Sequence, residues 1–239
     1  MSSSASGWAV IVAAGRGIRF GSGEPKQFAA LAGKPLVLWS VEAFRAHPAF
    51  AGVTLVLPPT SVESPPAWLA RLVSEGLLLA AGGPERSDSV RLGLATVPEE
   101  IDYVAVHDGA RPLISGAAIT RVLERVGPER GAVAARRVTD SLKQTDAAGR
   151  VLGAVDRENL WRAETPQIFP RRPIVDVYRR AEADGVVASD SAGLCEHYGL
   201  DLVLVEIEDP NPKVTRPVDL QIAAALLARR GSSPPAPGG

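Results

Sequence analysis

The sequence predicts an α/β protein, a doubly wound and mostly parallel sheet with helices on both faces and a β-hairpin arm. Three observations carry this. Apolar runs of strand length alternate with segments of helical periodicity along most of the 239 residues. Three of those runs lead into glycine-rich or polar segments, at 13–27, 82–89 and 107–112, where open α/β sheets bind ligands beyond the carboxyl ends of their strands. One stretch, 136–169, breaks the alternation.

Residues 9–12 form a short apolar run suited to a buried parallel strand. Pro35 opens a helix with Leu36, Trp39, Val41 and Phe44 as apolar positions, closed by His47-Pro48. Residues 53–57 read as a second strand, 66–74 as a short helix and 77–80 as a strand ended by Gly82-Gly83-Pro84. A helix follows over 87–94, with Asp88 and Ser89 in its first turn. Residues 103–106 are the clearest central strand, followed at once by His107-Asp108-Gly109. Helical periodicity returns at 119–126, 178–183 and 219–228, and strands at 132–135 and 202–207. Within the irregular stretch, 141–145 and 151–155 flank an Asp-Ala-Ala-Gly-Arg turn, which predicts a hairpin. An isolated hairpin is marginally stable, so the arm packs on a second subunit or folds onto its own domain, and the pattern does not choose between these.

Length and composition fit one domain, placed at 8–230, with a disordered tail at 231–239. A net charge of -1 gives no global field for nucleic acid. No apolar run reaches membrane-spanning length, and the opening MSSSASGW lacks the basic and apolar parts of a signal peptide, so the cytoplasm is the expected location. The single cysteine, Cys195, excludes an intramolecular disulfide framework and an all-thiolate zinc site. It reads as a small core residue rather than a nucleophile.

The 13–27 segment, AAGRGIRFGSGEPKQ, is suited to polyphosphate. Small residues at Ala13, Ala14 and Gly15 allow close backbone approach, and Arg16, Arg19 and Lys26 bring positive charge. It is not a dinucleotide fingerprint. Gly15 and Gly17 fit, but the third position is Phe20, and no acidic residue ends the 53–57 strand. It is not an ATPase loop either, because Gly23 is followed by Glu-Pro-Lys-Gln. A flexible loop with solvated charges is the plain alternative. Asp108, at a strand end, suits a hard divalent cation such as Mg²⁺, or else a turn or helix cap. Lys213 and Arg216 are pocket cations or surface charges, and spacing alone does not decide.

Taken in order, A-A-G-R-G-I-R-F at 13–20, P-K-Q at 25–27, G-G-P-E-R-S-D-S-V at 82–90, V-H-D-G-A-R-P at 106–112, V-T-D-S-L-K at 138–143, D-R-E-N-L-W at 156–161, T-P-Q-I-F at 165–169 and K-V-T-R-P-V-D-L at 213–220 resemble the 2-C-methyl-D-erythritol 4-phosphate cytidylyltransferase family over residues 8–228. The resemblance implies one Rossmann-like nucleotidyltransferase domain, a homodimer with exchanged arms, and Mg²⁺-dependent transfer of a cytidylyl group from CTP to methylerythritol phosphate. It implies that Ala13, Ala14, Gly15, Gly83 and Ser89, with Arg86 of the same motif, line the nucleotide site. Arg19 and Lys26 match cations gripping the triphosphate, and Lys213 a lysine near the reacting phosphates. Asp108 matches the metal-associated aspartate, with Asp209 a second candidate. Arg111, Ser141 and Arg157 match positions that hold the sugar phosphate, the last two from the partner's arm. The chain departs from the family's usual pattern at Pro84, Gly109, Ser141, Ser191, Asp209 and Pro212. A cytidylyltransferase for ribitol 5-phosphate or a related polyol phosphate is the nearest rival, and a nucleotide-binding regulator without turnover is a rival of another class.

Overall fold

The structure is a computed structural model and describes residues 6–15 and 25–231. Its centre is a seven-stranded sheet. The strands are β1 (Gly7–Val12), β4 (Phe50–Leu57), β5 (Leu78–Ala81), β6 (Tyr103–Asp108), β7 (Arg130–Arg137), β10 (Trp161–Pro170) and β11 (Asp201–Glu206), in the order β11-β7-β10-β6-β1-β4-β5. All neighbours are parallel except β10, which runs antiparallel to both β6 and β7. Two small hairpins complete the strands, β2 (Ala30–Leu31) with β3 (Lys34–Pro35), and β8 (Leu142–Thr145) with β9 (Val151–Val155).

Alternating side chains of the buried strands divide the core between two faces. Ala9, Ile11, Val53, Leu55 and Leu57 pack against α1 (Leu36–Arg45), α3 (Ala67–Ser74) and α5 (Gly116–Leu123). Trp8, Val10, Val56, Val104 and Val106 face α4 (Arg86–Leu94), α6 (Arg171–Asp184) and α7 (Ser191–His197). A short α2 (Pro59–Glu63) follows β4, and α8 (Pro217–Gly231) packs Ala223 against Leu31, Leu36, Leu113 and Val214. Among the described residues no helix is long and apolar enough to cross a membrane.

The doubly wound sheet and the two-stranded excursion agree with the sequence reading. The excursion is shorter than 136–169, because β10 returns to the middle of the main sheet. Its pairing with β7 shifts register between Ala163 and Gln167, around the cis Thr165–Pro166 bond. Proline is tolerated inside sheets at such irregularities. The tail from 232 onward lies outside the described residues.

A cationic cleft at the carboxyl ends of the strands

β1, β4 and β6 end level with one another: Val12 pairs with Val56 on one side and with Asp108 on the other. Backbone bonds continue the alignment one residue further, from Ala13 N–H to the Val56 carbonyl (2.8 Å), from Gly82 N–H to Leu57 (2.8 Å) and from Gly109 N–H to Val12 (2.9 Å). The chain leaves β4 towards one side and β6 towards the other, so the sheet opens here in the crevice where doubly wound folds take ligands. A cleft of about 720 Å³ occupies it. Ala13, Ala14, Gly15, Lys26, Gly83, Arg86, Ser89, Asp108 and Lys213 all line it, so nine of the residues singled out in the sequence converge on one place.

Glycine at 82 and 83 is required by approach rather than by flexibility. A Cβ on Gly82 would lie 2.2 Å from that of Ala14, and one on Gly83 would lie 2.4 Å from that of Asp88. Removing both side chains draws the 82–85 loop against β1 and against the first turn of α4. Ser89 then pins the loop: its hydroxyl accepts the Gly83 N–H (3.2 Å) and donates to the Glu85 carbonyl (3.1 Å). The Asp88 carboxylate accepts the Glu85 N–H (3.1 Å), which closes the start of α4. The positive end of α4 faces the cleft, a favourable setting for phosphate.

Asp108 is the electrostatic centre. Arg86 donates to its Oδ1 from Nε (3.2 Å) and Nη2 (3.0 Å), and Lys213 donates to its Oδ2 (2.7 Å). Burial alone would raise the Asp108 carboxyl, but Arg86, Lys213 and Arg111 outweigh it and hold it well below the usual carboxylate range. Conversely, burial would lower the Arg86 guanidinium, and Asp108 keeps it charged. Lys26 donates to the Val214 carbonyl (2.9 Å), tying the first loop to the last. The described side chains of the lining carry three cations, Lys26, Arg86 and Lys213, against Glu85 and Asp108. An anionic ligand fits that excess.

The other expected residues lie elsewhere. Arg19 falls in 16–24, outside the described residues. Arg111 does not line the cleft. Its side chain is 13% exposed and contacts Glu164 (3.5 Å) and the Asn211 carbonyl (2.9 Å). Asp209 is outside the cleft lining as well, and its carboxylate accepts from the Ser115 hydroxyl (2.7 Å) at the start of α5. Ser141 and Arg157 are exposed at the β8–β9 arm, where Arg157 donates to the Thr139 carbonyl. They do not line the cleft of their own chain.

Ser191 is fully buried and bonded to the Tyr178 hydroxyl (2.8 Å), whereas Pro84 is in the cleft wall. Cys195 is a core residue whose thiol burial pushes up to about 12. Sequence reasoning missed the roles of Gln27 and Thr215, which line the cleft, and of Thr165, whose hydroxyl oxygen accepts the Asp108 N–H (3.0 Å). Thr165 belongs to the T-P-Q motif, but nothing local shows that this segment comes back beside β6.

A divalent cation can be tested against this donor set. Among the described residues no three His, Cys, Asp or Glu side chains gather for a protein-only site. One ionised carboxylate at the cleft, Asp108, does suit Mg²⁺, which is commonly held by one or two carboxylates together with substrate phosphates.

Sheet, crevice and cationic loops define a Rossmann-like nucleotidyltransferase. A sequence profile for 2-C-methyl-D-erythritol 4-phosphate cytidylyltransferase, IspD, matches residues 8–229. A protein of that name from Xylella fastidiosa (strain 9a5c) is 42% identical over 229 residues, covering 93% of this chain and 97% of its own. Its counterpart from Xanthomonas oryzae pv. oryzae (strain PXO99A) is 41% identical over 228 residues, covering 94% and 83%. The crystal structure of the enzyme of that name from Thermus thermophilus superposes with a TM-score of 0.75 at 32% identity, covering 92% and 98% of the two chains. The 4-diphosphocytidyl-2C-methyl-D-erythritol synthase from Anaerococcus prevotii DSM 20548 shares the fold, with a TM-score of 0.79 at 21% identity over 95% and 97%. The chain belongs to the IspD family and is a cytidylyltransferase.

Proposed function

We propose that this protein transfers the cytidylyl group of CTP to 2-C-methyl-D-erythritol 4-phosphate and releases pyrophosphate. It does so in the cytoplasm as a Mg²⁺-dependent homodimer in which each arm completes the partner's cleft. The observation that supports this best is Asp108 held between Arg86 and Lys213 at the end of β6, facing the Ala13–Ala14–Gly15 turn across the crevice.

The acceptor phosphate has its second pKa near about 6 and is largely dianionic at neutral pH, so its oxygen attacks the α-phosphorus without a general base. The task is to assemble anions and stabilise charge on the transferring group. Lys26, Lys213 and Arg19 supply that charge, and Gly83, Ser89 and the α4 terminus shape the nucleotide side. When bound, Mg²⁺ supplies Lewis-acid neutralisation of the phosphates, with Asp108 as its protein ligand. Ser141 and Arg157, exposed on the arm, orient the acceptor in the neighbouring cleft and make the encounter effectively intramolecular.

The test is pyrophosphate release with CTP and Mg²⁺, comparing methylerythritol 4-phosphate, ribitol 5-phosphate and no acceptor. Release with methylerythritol phosphate alone is expected. Preference for ribitol phosphate would keep the chemistry and transfer the assignment to the rival acceptor. No release with either, from folded and metal-loaded protein, would overturn the assignment.

A further inference from the structure

Lys213 reaches Asp108 with a side chain that is 43% exposed, so its aim is set by the backbone on either side of it. That backbone is held in an unusual way. The carbonyls of Glu208 and Asp209 accept from Arg136, that of Pro210 from Arg230 (3.2 Å), that of Asn211 from Arg111 (2.9 Å) and that of Val214 from Lys26 (2.9 Å). Cationic side chains thus grip the loop along its length. Two of the guanidiniums, Arg111 from the turn after β6 and Arg136 from β7, share one counter-ion. Glu164 on β10 is buried, with Oε2 3.5 Å from Arg111 Nη1 and Oε1 3.4 Å from Arg136 Nε.

We propose that Glu164 is a positioning residue: through Arg111 and Arg136 it fixes the 208–214 loop and so sets Lys213 against Asp108. In Arg111 the same Nη1 that faces Glu164 donates to the Asn211 carbonyl, and in Arg136 Nε faces Glu164 while Nη2 donates to the loop. A guanidinium is planar, so a carboxylate that holds it also fixes where its loop-facing nitrogens donate. Arg111 Nε and Asn211 Oδ1 are buried without hydrogen-bond partners, which leaves the Glu164 contact to hold the Arg111 plane from the sheet side. Removing the Glu164 charge leaves two guanidiniums uncompensated in a poorly solvated place. They then turn towards water and release the loop carbonyls. The catalytic half of this inference rests on the role given above to Lys213, whereas the loop-holding half does not.

The experiment uses the full chain with Glu164→Gln, which keeps the shape and removes the charge. Hydrogen exchange is followed at the Val214 amide, which donates to the Ala110 carbonyl (2.8 Å) and reports docking of the loop. Exchange there should accelerate about tenfold, with α6 unchanged. Turnover should fall about tenfold in the wild-type background and by less than about twofold in Lys213→Ala, because the two changes act on one device. Unchanged exchange at Val214 overturns the inference, as do losses that multiply in the double variant. If the wild-type protein transfers no cytidylyl group, the functional assignment fails while the exchange measurement still decides the role of Glu164. Should Glu164→Gln not fold, Arg136→Gln, at the more exposed end of the pair, runs through the same comparison with the same outcomes.

Discussion

The His107 ring has no solvent exposure and bonds on both sides. Its Nε2 faces the Arg111 carbonyl (3.1 Å), which only accepts, so Nε2 carries the proton. Nδ1 therefore accepts from the Thr165 hydroxyl (3.1 Å), and the Thr165 oxygen accepts the Asp108 N–H (3.0 Å). This chain holds both ends of the 108–111 turn and requires a neutral ring. Burial lowers the His107 pKa from 6.5 to about 4. The folded pKa lies below the unfolded one, so the unfolded chain binds more protons between those values. Stability is therefore complete above about 6.5 and is lost as the pH falls towards about 4, by roughly 3 kcal/mol in total. Asp108 adds to this loss only at the acid end of the window, because its folded carboxyl stays ionised while that of the unfolded chain begins to bind protons below about pH 5. NMR of the imidazole protons should show His107 titrating near 4, and urea midpoints should fall between about pH 7 and about pH 4.5. A ring titrating near its ordinary value would contradict the bonding scheme. At this scale the sequence discloses residues that follow a strand directly, such as Ala13, Gly83 and Asp108. It conceals Glu164, because a carboxylate at that position reads as an ordinary surface charge until β7 and the 111 turn are brought beside it.

Among the elements, the β8–β9 arm has the clearest unmet need. Val151 and Leu152 are each 64% exposed, and Val155 is partly so, on a hairpin of two short strands. Such a ribbon has little stability alone, and its apolar side chains need a cover. In the proposed dimer the second subunit provides it. Replacing Val151 and Leu152 by lysine should shift sedimentation towards monomer at concentrations where the parent is dimeric, with the circular dichroism of the main sheet retained. An unchanged mass distribution would place the subunit contact elsewhere. The hairpin is legible in the sequence because its turn chemistry and short alternating runs are local signals. β10 is not, since Thr165-Pro166-Gln167 and Pro170 look like loop, and only the register shift in its pairing with β7, between Ala163 and Gln167, makes room for Pro166. α7 escapes sequence reading for a related reason: Ser191-Ala192-Gly193 has poor helix propensity, and the helix is held by Asp190, whose carboxylate accepts the Gly193 N–H (2.9 Å).

At the scale of the whole molecule, the residues proposed for one site lie in two separate places on the chain. Lys26, Arg86, Asp108 and Lys213 meet in the cleft because β1, β5, β6 and the segment before α8 all deliver their ends to one rim of the sheet. Ser141 and Arg157 leave that rim on the arm. If arms cross, each functional unit takes Lys26 from one chain and Arg157 from the other. Lys26→Ala and Arg157→Ala homodimers should then each be defective. A mixed dimer gathers both lesions into one cleft and leaves the other intact. Equal mixing of unfolded chains followed by refolding should restore about a quarter of the parental turnover, since half of the dimers are mixed and each has one sound site of two. The comparison is made on mixed dimers isolated with two different affinity tags, which should show about half of the parental turnover, so that failure to assemble is not mistaken for failure to complement. Recovery would show that the arm serves the neighbouring cleft. A mixed dimer as inactive as its parents would mean that Arg157 acts within its own chain, and the arm would then have to fold back over a cleft from which the present geometry keeps it apart.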